Sequence, residues 1–130
     1  MIENIKCKYS KQCGNCQLLN KTYHETLNYK LNYVNNCLKN CKINTTIKNV
    51  VPADLNIGYR NKMIIAYKYE KGKIITGFYE ENSHKVVDIE NCLIHSELQN
   101  KIAIEIKKIM IDLKIKPYDE DRDKVYLDIS

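Results

Sequence analysis

The sequence is poor in glycine, and no two of its four glycines, Gly14, Gly58, Gly72 and Gly77, stand one residue apart. Without a G-x-G, the phosphate- or nucleoside-binding turn of a Rossmann-type unit has no support. Long hydrophobic runs are missing too. None approaches the roughly 18–20 residues that a membrane span needs. The opening residues, MIENIKCKYS, carry no apolar h-region and no small-residue cleavage site. The expectation is a chain with no signal peptide and no membrane partner, at home in a reducing cytoplasm. There is no repeat, no low-complexity tract and no clear linker. The 130 residues are enough for one ordinary domain or two very small ones.

What is present is a soluble, lysine-rich chain. Hydrophobic residues make up 44% and can furnish a core, while 28% charged residues and a mean hydropathy of -0.49 keep the surface wet. The net charge of +5 is unevenly spread. Residues 1–50 hold eight lysines against Glu3 and Glu25, a balance of +6, and residues 51–130 hold 13 basic against 14 acidic residues, a balance of −1. A basic half of this kind favours polyanions, nucleic acid first, although a solvated lysine surface has the same composition.

Periodicity predicts an α+β fold: a small antiparallel sheet, made of a hairpin plus a third strand, flanked by two amphipathic helices and preceded by a cysteine-rich N-terminal loop. Tyr23, Leu27, Leu31, Val34 and Leu38 recur at helical spacing, and Thr22 with Glu25 forms a capping box at the start. This stripe is expected to face the core. The stretch MIIAYKYEKGKIITGFYEE reads as a hairpin turning near residues 70–73, with Gly72 free to take a positive φ. KVVDI, at 85–89, reads as the third strand. Ser96 with Gln99 opens a second helix with the stripe Leu98, Ile102, Ile106, Ile109 and Leu113, and Pro117 follows as a stop. The tail after KPYDED is acidic and then briefly strand-like. Residues 1–50 are taken as loop plus first helix, and 51–130 as a central α+β domain.

The chemistry-bearing feature is CKYSKQCGNCQ at 7–17. Cys7, Cys13 and Cys16 follow a C-x5-C-x2-C spacing, and soft thiolates gathered in a loop suit zinc or an iron–sulfur cluster. The two-residue gap lets both sulfurs face one centre, and Gly14 is expected to relax the backbone between them. A fourth ligand is required. Cys37 and Cys41 lie on the first predicted helix, where small packing residues are the simpler reading. Cys92 lies in a loop and can be carried to a loop site. Two sites compete on spacing: four thiolates from Cys7, Cys13, Cys16 and Cys92, or a Cys₃His zinc site from Cys13, Cys16, Cys92 and His95. Buried, inert thiols are the plain alternative.

The stretches CKYSKQCGNCQLLN, YHETLNYK, GYRNKM, GFYEENSH, VVDIENCLIHSELQN and KPYDED, in this order, resemble the N-terminal and central region of the uracil-5 RNA methyltransferases that act on ribosomal or transfer RNA. The resemblance runs from Cys7 to about Asp121. It implies that Cys7, Cys13, Cys16 and Cys92 hold a [4Fe–4S] cluster, and so favours that alternative over zinc. Asn15, Thr26 and Leu93 depart from the family pattern, but none removes a ligand. After KPYDED the family continues into a large methyltransferase domain, which supplies the nucleophilic cysteine, the base and the S-adenosylmethionine pocket. These 130 residues contain none of them, so the resemblance implies no catalytic residue here and no methylation by this chain alone. S-adenosylmethionine belongs to the full-length enzyme only.

What remains is a recognition and scaffolding role on structured RNA, ribosomal ahead of transfer RNA. Arg60 and Lys62 can neutralise phosphates, and Tyr59 can stack on an unpaired base. Lys8 and Lys11, beside the cysteines, are further phosphate contacts, with Lys6 and Lys30 behind them. His84, near Phe78, Tyr79 and Ser83, belongs to a second family-like patch. Adjacent strand residues point to opposite sheet faces, so only one of Phe78 and Tyr79 can face RNA.

Overall fold

The computed structural model describes residues 4–119; the strand-like tail beyond lies outside them. Its elements run α1 (Tyr23–Asn40), β1 (Ala66–Glu70), β2 (Lys73–Tyr79), β3 (Val86–Asp88) and α2 (Glu97–Asp112). This is the expected α+β order. The chain divides into two compact units. One comprises Gln17–Ile57 with the segment ending at Lys6; the other joins Cys7–Cys16 to the chain from Gly58 onward. The cysteine loop thus groups with the sheet.

In the first unit, α1 starts as its sequence dictates. The Thr22 hydroxyl accepts from the Glu25 N–H at 3.1 Å, and the Glu25 carboxylate accepts from the Thr22 N–H at 2.7 Å. The end is less legible. The Lys42 N–H donates to the Lys39 carbonyl and the Ile43 N–H to the Leu38 carbonyl, with Lys42 at φ 57°. This is a Schellman closure with lysine where glycine is usual. The chain then runs back without regular structure, tied to the helix at two places. The Asn35 side chain accepts from the Ile47 N–H at 2.8 Å and donates to the Ile47 carbonyl at 2.9 Å. The Tyr23 hydroxyl accepts from the Ala53 N–H at 2.9 Å. The stripe of α1 does not become a core as expected. None of its residues is fully buried, and Val34 is exposed. A single extended strap is too thin to exclude water from a helix face.

The second unit holds the core. β1, β2 and β3 form an antiparallel sheet in that order, with Tyr67 opposite Thr76 and Phe78 opposite Val87. The hairpin turns at Lys71 and Gly72, both with positive φ, as a two-residue type I′ turn requires. Its first strand begins at Ala66, so Met63–Ile65 precede the ladder. β2 is central, and Ile74–Phe78 are buried without a break. Phe78, Val87 and Ile89 pack with Tyr9, Cys13, Met63, Ile65 and Cys92. Gly77 is obligatory, because a Cβ there would lie 1.8 Å from the Val87 carbonyl oxygen.

α2 opens with the expected Ser96–Gln99 capping box and packs on β2. Its inward residues are not the predicted stripe. Ala103 is buried, its carbonyl accepts from the Tyr67 hydroxyl at 3.0 Å, and Lys107 donates to Asp88 at 3.0 Å. Leu98, Ile102, Ile106, Ile109 and Leu113 stay 42–66% exposed. Small Ala103 lets the helix approach closely, and those two polar bonds set its rotation. No helix among the described residues is long and apolar enough to cross a membrane.

Candidate metal centre

The cysteine loop docks beside β2 through its backbone. The N–H groups of Gln12 and Cys13 both donate to the Tyr9 carbonyl, Cys13 bridges Glu80, and the Gly14 N–H donates to the Tyr79 carbonyl. Gly14 is required for closeness: a Cβ would lie 2.8 Å from the Glu81 Cα. Its φ is not in the left-handed region, so contact with the 80–81 backbone, and not conformational freedom, explains the glycine between Cys13 and Cys16.

Cys92 is positioned from α2. The Asn100 side chain accepts from the Cys92 N–H at 2.8 Å and donates to the carbonyls of Cys92 and Ser96. The His95 N–H closes the turn onto the Cys92 carbonyl at 3.2 Å. Parallel to this loop runs the stretch from Gly58, whose N–H donates to the Leu93 carbonyl, while the Arg60 N–H donates to the Ile94 carbonyl. The Arg60 guanidinium donates to the Asn15 side chain at 2.8 Å and so ties this stretch to the cysteine loop.

These anchors bring Cys7, Cys13, Cys16 and Cys92 into one half-buried group of free thiols. Each of the four interacts electrostatically with the other three. Burial pushes the thiols of Cys13, Cys16 and Cys92 up. The Asn15 N–H opposes this at Cys13, the N–H groups of Ile94 and His95 oppose it at Cys92, and Arg60 opposes it at Cys16 and Cys92. Backbone N–H groups aimed at sulfur, with a cation beside them, are what thiolate ligands need.

Two buried polar groups near this site make no side-chain hydrogen bond of good geometry, the Lys62 backbone being the nearest partner of the second. They are the Asn15 side-chain amide nitrogen and both ring nitrogens of His95. His95 is only 4% exposed and stacks on Phe78 at 5.3 Å. Burial pushes its imidazole down; the Lys62 backbone opposes and Arg60 reinforces that shift. The Asn15 amide, on the loop between Cys13 and Cys16, is a donor that fits a group with acceptor atoms of its own. Among the described residues, no three His, Cys, Asp or Glu side chains are placed to hold one metal ion. Tetrahedral zinc draws its thiolates to about 3.8 Å apart. Four thiolates are a donor set that suits an iron–sulfur cluster or zinc.

The residues expected to meet RNA lie in this same unit, except Lys6 and Lys30, which belong to the unit of α1. Tyr59 is exposed, as are Lys11, Lys62 and His84. Lys8 is exposed but shared with Glu90 at 3.2 Å and with the Tyr9 ring. Arg60 is half-buried, with its guanidinium turned to Asn15. Phe78 is buried at 7% and Tyr79 exposed at 39%, the predicted opposition, and Tyr79 meets His84 edge-on. Cys37 on α1 and Cys41 at its C-cap are exposed, so neither is the packing residue expected of it. Sequence reasoning missed the Asn15–Arg60 bond, the Asn100 clamp and the buried state of His95. The only signal for the clamp was an asparagine within a capping-box helix start.

No protein-family model matches the chain. Similarity to individual proteins is extensive. The chain is 32% identical over 118 residues to an uncharacterized RNA methyltransferase of Halalkalibacterium halodurans, across 89% of this chain and 26% of that protein. It is 33% identical over 119 residues to an uncharacterized RNA methyltransferase of Clostridium tetani, across 91% of this chain and 26% of that one. With one from Staphylococcus aureus the figures are 35% over 121 residues, 91% and 27%. The similarity thus spans nearly all of this chain and about a quarter of the length of the curated relatives it matches.

Proposed function

We propose that the chain is the RNA-recognition and scaffold portion of an S-adenosylmethionine-dependent RNA (uracil-5-)-methyltransferase, cytoplasmic and acting on structured RNA, ribosomal ahead of transfer. In this reading Cys7, Cys13, Cys16 and Cys92 hold a structural [4Fe–4S] cluster. The observation that carries it is the gathering of these four thiols in a chain whose relatives are named RNA methyltransferases. When bound, the cluster supplies a rigid multi-thiolate crosslink between the N-terminal loop and the Cys92 loop, and its binding energy becomes folding energy. Arg60, Asn15 and the nearby lysines offset its charge of about −2. Tyr59, Lys62, Lys8, Lys11 and His84, in the same compact unit, supply cations and rings that can hold phosphate and base. The methyl-transfer chemistry is assigned to the remaining length of the relatives, and this stretch is expected to methylate nothing.

Anaerobic purification tests the cluster. The expected product is brown, absorbs broadly near about 400 nm and carries about four irons per chain. Cys92→Ser should abolish this, while His95→Ala should retain it. A colourless protein with stoichiometric zinc, lost in both variants, would instead favour the Cys13, Cys16, Cys92 and His95 site. RNA recognition is tested by titrating a uridine-rich stem-loop at rising salt, where affinity must fall if lysines contact phosphate.

A further inference from the structure

The polar face of α1 carries two tyrosines that the fold does not use. At 100° per residue, the stripe Tyr23, Leu27, Leu31, Val34 and Leu38 centres roughly 140° away from Tyr29 and Tyr33. The strap formed by residues 43–57 is tied down on the stripe side, through Tyr23 and Asn35. Tyr29 and Tyr33 therefore face away from the stripe and its strap, 48% and 62% exposed. Their rings are not splayed apart. The centroids lie 6.5 Å apart and the planes differ by 24°. The surrounding residues of that face are Thr26, Asn36, Cys37 and Asn40, with Asn32 and Lys30 at its edges; Glu25, one turn before Tyr29, is its one acidic residue and is already held by the Thr22 N–H at the helix cap.

A pair of stacked, solvent-facing rings is a poor match to a protein hydrophobic interface, because the residues around it are polar and not aliphatic. It is a good match to planar partners with polar edges. Bases stack on the ring faces, asparagine side chains can donate to or accept from base edges, and lysine meets the phosphate. The compact unit that carries the pair holds six lysines against Glu3, Glu25 and Asp54, a balance of +3, which complements a polyanion. We infer that Tyr29 and Tyr33 form a stacking platform for unpaired RNA bases, a second nucleic-acid contact separate in sequence and in compact unit from the cysteine site. This rests on the proposed RNA reading and adds a site to it. Unpaired RNA is favoured over duplex because only splayed bases expose a face to the rings.

The test uses the full chain and a labelled oligouridylate of about ten nucleotides. Tyr29→Ala with Tyr33→Ala should weaken binding by about tenfold or more. The salt dependence should keep its slope, since no charge is removed. Tyr29→Phe with Tyr33→Phe keeps both ring faces and should bind like the parent. Neither position is buried, and alanine favours helix, so an unchanged far-UV helix signal is expected alongside. The platform is overturned if the alanine pair binds the oligomer as tightly as the parent, or if the phenylalanine pair loses as much as the alanine pair. It is overturned equally if duplex RNA of the same length suffers the same loss. A parent protein that binds the uridine-rich stem-loop but not the oligomer rejects the platform alone. One that binds neither at low salt rejects the RNA reading with it.

Discussion

The two compact units use the same helix design to different ends. Both α1 and α2 open with a capping box, carry an apolar stripe at similar spacing and close with a Schellman turn on a lysine, Lys42 and Lys114. α2 lies on a sheet and shares a unit with every fully buried hydrophobic residue described. α1 has only an irregular strap for company, and the one fully buried residue described in its unit is Asn56. Local signals are thus enough to specify a helix and not enough to specify a core. A core needs a partner surface wide enough to exclude water.

The largest way to break this contrast is Gly77→Ala. The new methyl has no room against the Val87 carbonyl, so the sheet unit should lose about 3 kcal/mol or more in denaturant unfolding. Gly58→Ala, with open space around it and a φ of +62°, should cost only about 1 kcal/mol. A smaller cost for Gly77→Ala than for Gly58→Ala would contradict the packing described for β2.

A matched pair of asparagine variants comes next. Asn100→Ala strips the Cys92 N–H of its acceptor and removes one of two donors from the Cys92 and Ser96 carbonyls, at about 1–3 kcal/mol. Its hydrogen-exchange signature should centre on residues 92–96. Asn35→Ala releases Ile47 at about 1 kcal/mol, because these groups are exposed to water. Faster exchange should then be confined to α1 and its strap. Exchange in the parent protein should already be faster across α1 than across β2.

Acid should act on the sheet unit through Asp88. Burial raises this carboxyl, but the Thr76 N–H and the ammonium groups of Lys107 and Lys73 outweigh it and hold it below its ordinary 3.8. Its contribution is therefore present above about pH 4 and lost as pH falls through the lower folded value. Asp88→Asn should flatten the stability profile below pH 4 while lowering stability at neutrality. The smallest effect is a gain. Lys42→Gly and Lys114→Gly each relieve a left-handed residue that has a Cβ, and should stabilise by up to about 1 kcal/mol. The gain at Lys42 should appear only in the exchange of α1.

Much of this was legible along the chain, because it depends on neighbours a few residues apart. The capping boxes at Thr22 and Ser96, the turn at Gly72, the three strands and the opposition of Phe78 and Tyr79 are written in spacing alone. Spacing picked out Cys7, Cys13 and Cys16 but left the fourth partner open between two sites, and only the family resemblance favoured the four-thiolate one. Two things were not legible. Which side of each helix is buried depends on what it meets. Tyr67 and Asp88 turned α2 onto Ala103 and Lys107, leaving five large aliphatics outside. How Arg60, Asn15, Asn100 and His95 gather around the thiols also depends on contacts between residues far apart in sequence. Periodicity carries no record of such contacts, and only the packed sheet brings those backbones side by side.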